Sequence, residues 1–231
     1  MPDDARGAIL AALHQPAAAP VGPAGWRCAQ EAGAPDAAAL AARFAAAANQ
    51  QGVTVTREIG PGAARLSILS FLRRAEVRQV LVWEQDELPV PGLLDALHML
   101  DIQTTTPSAA ALRSGALVSD GGMAIVGMSA ALAGLADQGS IVVRYPTAAC
   151  MLAAVWPATH LVLLPATQIA PSFESWLAAA RIQGRLAGWM QHDMTIISGP
   201  SLTVDIEQIP VRGASGPAHL HIFLIEDDIK L

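Results

Sequence analysis

Lysine is almost missing from this chain: the single one, Lys230, is the penultimate of 231 residues. That scarcity excludes a Gly-x-x-x-x-Gly-Lys-Ser/Thr phosphate loop and any internal lysine able to form a Schiff base. No Gly-x-Gly-x-x-Gly occurs either, so the usual dinucleotide fingerprint is absent. An anionic ligand would have to be held by arginine, backbone N–H groups, hydroxyls or a bound metal.

Cysteine is nearly as sparse, with Cys28 and Cys150 far apart and unaccompanied by other thiols. Two such residues alone build neither a Cys-based zinc site nor a Cys-ligated iron–sulfur cluster. Cys150 lies in the apolar run from 148 to 155, where a buried thiol is the simplest account. Aromatics make up only 4% of the chain, and no basic stripe is interleaved with them, which argues against a nucleic-acid partner. The formal charge is −6, from 14 basic and 20 acidic residues. No apolar stretch reaches the roughly 18 uninterrupted residues that a membrane-spanning helix needs. Asp3 and Asp4 precede Arg6, the wrong charge order for a secretory signal, so a cytoplasmic protein is expected.

What the chain does have is apolar surface: 52% of its residues are hydrophobic, with alanine conspicuous. Such a composition suits closely packed helices against a sheet. Pro2 to Leu13 reads as a short amphipathic helix, and the stretch to Gly25 as a Pro/Ala/Gly linker. Residues 1–25 are therefore set apart from one α/β domain over 26–231. Asp36 is placed to cap an alanine-rich helix ending near Gly52, and Val53 to Ile59 suits a strand. A helix over 63–74, a buried strand over 79–83, a helix over 91–100 and a short strand over 102–105 follow. Ser108 to Arg113 adds a helical turn or two. Strands over 123–128 and 140–143 flank a turn at Asp137-Gln138-Gly139. A helix over 146–155 leads to a buried strand over 160–164. One long helix is predicted from Pro171 to about Met190, interrupted by Gly184 and Gly188. The last strands occupy 194–197 and 220–225. This alternation predicts an α/β fold, a mostly parallel sheet covered by helices on both faces.

Between those last strands lies the most informative segment, Ser198-Gly199-Pro200-Ser201-Leu202-Thr203-Val204-Asp205-Ile206-Glu207, followed by Gly213-Ala214-Ser215-Gly216-Pro217. Ligands of open α/β sheets sit beyond the carboxyl ends of strands, where such polar loops fall. Two accounts of Gly199-Pro200-Ser201 stand side by side. The free N–H groups and the Ser201 and Thr203 hydroxyls could cradle an oxygen-rich anion, or they could cap a turn, since both use the same donors. Asp205 and Glu207 share a face only in extended chain, where they could act as acid, base or metal ligand. Solvation or a salt bridge to arginine is the simpler account. Asp137 could orient substrate or act as a base, yet turns select Asp for its own hydrogen bonds. His219 and His221 share one strand face, but no third metal ligand is evident, so no metal site is assigned. His160 at a strand entrance, and Trp176 with Trp189 on a helix, are better explained by packing.

At these residues the chain resembles the LUD-domain family, the lactate-utilization proteins of the LutC type. The resemblance rests on Ala136-Asp137-Gln138-Gly139-Ser140-Ile141, on the segment from Pro157 to Ile169 with His160 and Pro165, and on Ser198-Gly199-Pro200-Ser201 with Thr203, Asp205, Ile206 and Glu207. Gly213, Gly216-Pro217 and Leu220-His221 complete the pattern. It implies a fold related to the sugar-phosphate isomerase and coenzyme-A transferase group. It also implies a subunit supporting oxidation of L-lactate to pyruvate with iron–sulfur oxidoreductase partners. Clusters would then reside on those partners, with no cofactor in this chain. Gly139, Ser140, Ser198, Gly199, Ser201, Thr203 and Asp205 are the expected ligand contacts, for a small anion, and Asp137 and Glu207 the candidate catalytic carboxylates. The chain departs from the pattern at Leu202, where the family usually has arginine, at Val204 for a small alanine, and at Ser215 for a common histidine. Losing that guanidinium removes a bidentate anion contact. Two other readings remain: a free-standing enzyme on a small phosphorylated or coenzyme-A thioester substrate, and a non-catalytic interaction module.

Overall fold

The apolar runs of the sequence become neighbouring strands of one parallel sheet. The computed structural model describes residues 36–114, 125–189, 193–204 and 210–226, so the expected amino-terminal helix and linker, and Cys28, lie outside the described residues. Six strands form the main sheet: β1 (Thr54–Ile59), β2 (Gln79–Val82), β3 (Gln103–Thr105), β4 (Ile125–Ala130), β7 (Thr159–Pro165) and β12 (His219–Glu226). Their spatial order is β1-β12-β7-β4-β2-β3, and every pairing is parallel. The centre of β7, Leu161 to Leu164, is wholly buried, as a strand covered on both faces must be.

Helices cover both faces because the crossovers between parallel strands must lie there. On one face, α2 (Gly60–Arg74) sets Phe71 edge-on against His221, with ring centroids 5.0 Å apart. On the other, the short α5 (Leu152–Val155) lies so close to β4 that a Cβ on Gly127 would fall 1.7 Å from the Ala153 carbonyl oxygen. Only glycine permits that approach. The alanine-rich α1 (Ala37–Gln50) buries Leu40, Ala41, Phe44 and Ala48, one stripe at helical spacing. Asp36 stands at its N-cap without a side-chain cap bond, and Gly52 turns the chain out of the helix at φ +80°.

A second sheet, unforeseen in the sequence, has the order β8-β5-β6-β9: β5 (Ala133–Leu135), β6 (Ser140–Arg144), β8 (Ile169–Ala170) and β9 (Met194–Ile197). It sits at the carboxyl ends of the main strands, because β4 runs almost directly into β5 and β7 leads through a 3₁₀ turn into β8. The linking hydrogen bonds are Ala131 N–H to Leu163 O at 3.0 Å and Leu132 N–H to Val142 O at 2.7 Å.

Helix boundaries moved where local chemistry overrode the pattern. The long helix expected from Pro171 is instead α6 (Phe173–Ile182), opened by a Ser172–Ser175 capping box and closed at Gly184, φ +67°. A separate α7 (Leu186–Trp189) follows. Trp176 is buried as packing required, in the cluster beneath the second sheet. The expected helix over 146–155 begins as a 3₁₀ turn, Ala148–Met151, and the one over 91–100 shortens to α3 (Leu93–His98). Ala109–Ser114 forms α4, whose first turn is capped by the Ser108 hydroxyl accepting from Ala111 N–H.

Candidate functional site

Strand β6 crosses the carboxyl ends of the main sheet, and the polar chemistry of the molecule gathers at its two ends. The first end carries the residues singled out in sequence. Gly139 closes the predicted turn at φ +68°, its N–H donating to Leu135 O at 2.8 Å. A Cβ there would stand 2.1 Å from the Ala48 nitrogen, so this glycine seats β6 against α1. Ser140, fully buried, shares a 2.7 Å hydrogen bond between hydroxyls with the surface-facing Ser198. Gly199, φ +87°, brings the next turn against Gln51, whose carbonyl oxygen would be 2.8 Å from an added Cβ.

Ser201 then joins the two glycine–proline loops. Its N–H donates to Pro217 O at 2.8 Å, its carbonyl accepts from Gly213 N–H at 3.0 Å, and its hydroxyl accepts from Ser215 N–H at 3.2 Å. The reversals anticipated in the sequence therefore do meet, and these donors of theirs are engaged with each other. Beyond the knot, β10 (Leu202–Val204) and β11 (Pro210–Arg212) form an antiparallel ribbon with Thr203 exposed. Leu202, at the position of the missing family arginine, is 58% exposed and lies across from Arg212. The Arg212 guanidinium approaches 3.7 Å from where Gly52 would carry a Cβ, at the negative end of α1. Asp137 is exposed on the turn, its N–H donating to Pro171 O at 3.1 Å. Asp205 and Glu207 lie outside the described residues.

The other end of β6 was not foreseen. Arg144, 4% exposed, reaches across to the 3₁₀ turn that follows β2, with its Nη2 3.6 Å from Glu87 Oε2. Burial pushes the Glu87 carboxyl up from its ordinary range, against the opposing pull of Arg144. Beside the pair, Trp83 and Tyr145 meet edge to face with centroids 6.1 Å apart. The Trp83 indole donates to Cys150 O at 3.1 Å, and the buried Cys150 thiol receives a 3.2 Å contact from Thr147 Oγ1. No spacing rule joins Glu87 to Arg144. The one usable signal was an arginine ending a buried strand and directly preceding the chain's only tyrosine.

Of the three strand histidines, two pack into the core. His160 is fully buried, its Nε2 hydrogen-bonded to Ser129 Oγ at 2.8 Å, and burial drives its pKa down to about 3. His221 shares a 2.8 Å bond with Thr56 Oγ1 and stacks on Phe223, with burial lowering its pKa to about 4. His219 is exposed. Among the described residues, no three His, Cys, Asp or Glu side chains cluster as metal ligands, and no helix is long and apolar enough to cross a membrane. At the opposite, amino end of the strands an apolar cavity of about 350 Å³ is lined by Phe71, Val77, Ile125 and Trp156.

Comparison with known proteins bears on both ends of β6. The family model for the LUD domain matches residues 37–225, which takes in every residue just described. A DUF162 family protein from Deinococcus radiodurans shares the fold, with a TM-score of 0.54 at 17% identity, over 83% of this chain and 99% of that one. No curated protein matches the sequence.

Proposed function

The chain belongs to the LUD-domain family, which is associated with lactate utilization, and from that premise we propose that it is a LutC-like subunit. In this reading it supports oxidation of L-lactate to pyruvate in the cytoplasm alongside separate iron–sulfur oxidoreductase subunits. Electrons travel through clusters on the partners, and this chain contributes recognition. The carrying observation is the knot at Ser201, which fixes two loops and an outward ribbon at the carboxyl end of the sheet. Ser198 and Thr203 offer exposed hydroxyls there, while Gly139, Ser140, Gly199 and Ser201 hold the loops in place. Asp205 continues the same segment. Ile196, Leu202 and Val211 add apolar surface along it, 47%, 58% and 44% exposed, suited to an assembly contact.

Affinity purification of the full chain from lactate-grown cells tests this directly. Cysteine-rich iron–sulfur proteins should co-purify, and deletion of the gene should slow growth on L-lactate. Normal growth of the deletion strain, with no iron–sulfur protein captured, would sink the reading. A stable complex that survives Ser201→Ala and Asp205→Ala, with lactate-dependent growth unchanged, would retain the role but reject the loop as its site.

A further inference from the structure

We propose that the outer edge of β9 docks a second copy of this chain, the two β9 strands pairing antiparallel about a twofold axis. The second sheets of both copies would then run on as one. In the order β8-β5-β6-β9, β9 has β6 on one side and, among the described residues, no strand on the other. The inference deepens the assembly reading of this segment by naming what covers its edge, and it does not depend on lactate chemistry.

Register fixes which backbone groups are left over. In an antiparallel ladder each residue turns its N–H and C=O toward one neighbour, and the next residue turns them toward the other. The Val142 carbonyl accepts from Leu132 N–H, on the β5 side, so Ile141 and Val143 face β9. Their partners there are Ile197 and Thr195. Tyr145 N–H donates to Asp193 O at 3.0 Å, which continues the same alternation. Met194 and Ile196 therefore aim their N–H and C=O groups away from β6. Among the described residues, neither makes a backbone bond on that outer side.

The strand carries none of the devices that keep an edge single. Met194–Ile197 holds no charge and no proline, its pairing with β6 has no bulge, and three of its four residues are β-branched. Side chains alternate between the faces, so Ile196 shares a face with Met194, which packs on the cluster of Leu132, Val142 and Trp176. Ile196 is the exposed continuation of that apolar face, at 47%.

Self-complementarity singles out a second copy as the occupant. A twofold axis perpendicular to the sheet sets residues of the same face opposite one another. Centred on Ile196, it pairs Ile196 with the second copy's Ile196, Met194 with Ser198, and Thr195 with Ile197. The outward N–H and C=O groups of both strands then meet, and Ile196 covers its own counterpart. Asp193 falls opposite Gly199, so no like charges oppose each other.

Sedimentation equilibrium of the purified full chain over the micromolar range reads this out. Wild type should pass from monomer to dimer as concentration rises. Ile196→Lys places a charge on the pairing face, and Ile196→Pro removes only an outward N–H, leaving the ladder to β6 intact. Each should weaken dimerisation about tenfold or more. Circular dichroism and melting temperature establish that both variants are folded. Should either fail to fold, Ile196→Cys combined with Cys28→Ser decides the matter. Directly opposed residues of a hydrogen-bonded pair lie about 5.5 Å apart at Cα, so that variant should form a disulfide dimer on mild oxidation. A chain that stays monomeric throughout would overturn the proposal, as would failure of the cysteine variant to cross-link. So would a dimer indifferent to Ile196→Pro, because apolar contact without strand pairing would then hold it. None of these results touches the lactate-linked role, which stands or falls on growth and partner capture.

Discussion

The two ends of β6 solve different problems. At Ser140 the chain uses small residues: two glycines with positive φ let backbones approach, and hydroxyls and amides satisfy one another. At Arg144 it buries a guanidinium beside a carboxylate at a distance too long for a strong bond. The first arrangement is stable because little is left unmet. The second brings two charged groups out of water together, with Glu87 Oε2 accepting no hydrogen bond among the described residues. A conspicuous motif can therefore be tightly self-satisfied, while a buried charge pair sits where no motif announces it.

Substitutions at each end sharpen this contrast. The largest effect belongs to the scaffold. Gly139→Ala must place a Cβ against the backbone of α1 and hold a left-handed φ, so it should cost about 3 kcal/mol or more, or prevent folding. Urea unfolding followed by circular dichroism would show it; a loss under about 1 kcal/mol would mean the β6–α1 seam is looser than described.

At the other end, Arg144→Met removes one partner of a shielded pair. Because the Glu87 side chain keeps 17% exposure, the loss should reach about 2–3 kcal/mol, below that of a fully buried pair. Converting both to apolar residues, Arg144→Met with Glu87→Leu, should recover most of it. If the single and double variants are equally unstable, the ion pair is not the cause.

Acid weakens the frame on which both ends rest. His160 is held neutral by burial, with a folded pKa near 3 against about 6.5 for an unfolded histidine. Between those values the unfolded chain binds the extra proton. Stability from this residue is therefore complete above pH 6.5 and falls by about 1.4 kcal/mol per pH unit below it, until the folded form titrates. His160→Gln should flatten that slope in melting curves between pH 6.5 and 4.5; an unchanged slope would assign it to other groups.

The smallest effect concerns the Ser140–Ser198 bond. Ser198→Ala leaves the Ser140 hydroxyl buried without it and should cost about 1 kcal/mol. The double variant should cost little more than either single one. Additive losses in that cycle would show that the two hydroxyls act independently.

Much of this architecture could be read from the chain. Buried runs such as Gln79–Val82 and Leu161–Leu164 announce parallel strands, and turn residues such as Gly52 and Gly139 announce where the chain reverses. These signals survive because they depend on neighbours only a few residues away. The second sheet was missed because β5 and β8 are two or three residues long and become strands only when β4 and β7 deliver them to β6.

What residue order settled by itself was the class of fold, the positions of its turns and the family to which it belongs. What the tertiary structure alone decided was which polar groups are consumed and which retain charge. Ser201 commits its N–H, carbonyl and hydroxyl oxygen to residues a dozen or more positions away, and Glu87 meets Arg144 only after β3 and β4 have been laid down between them. Periodicity is local, whereas the pairing of distant side chains depends on crossover paths, and no spacing in the sequence encodes those.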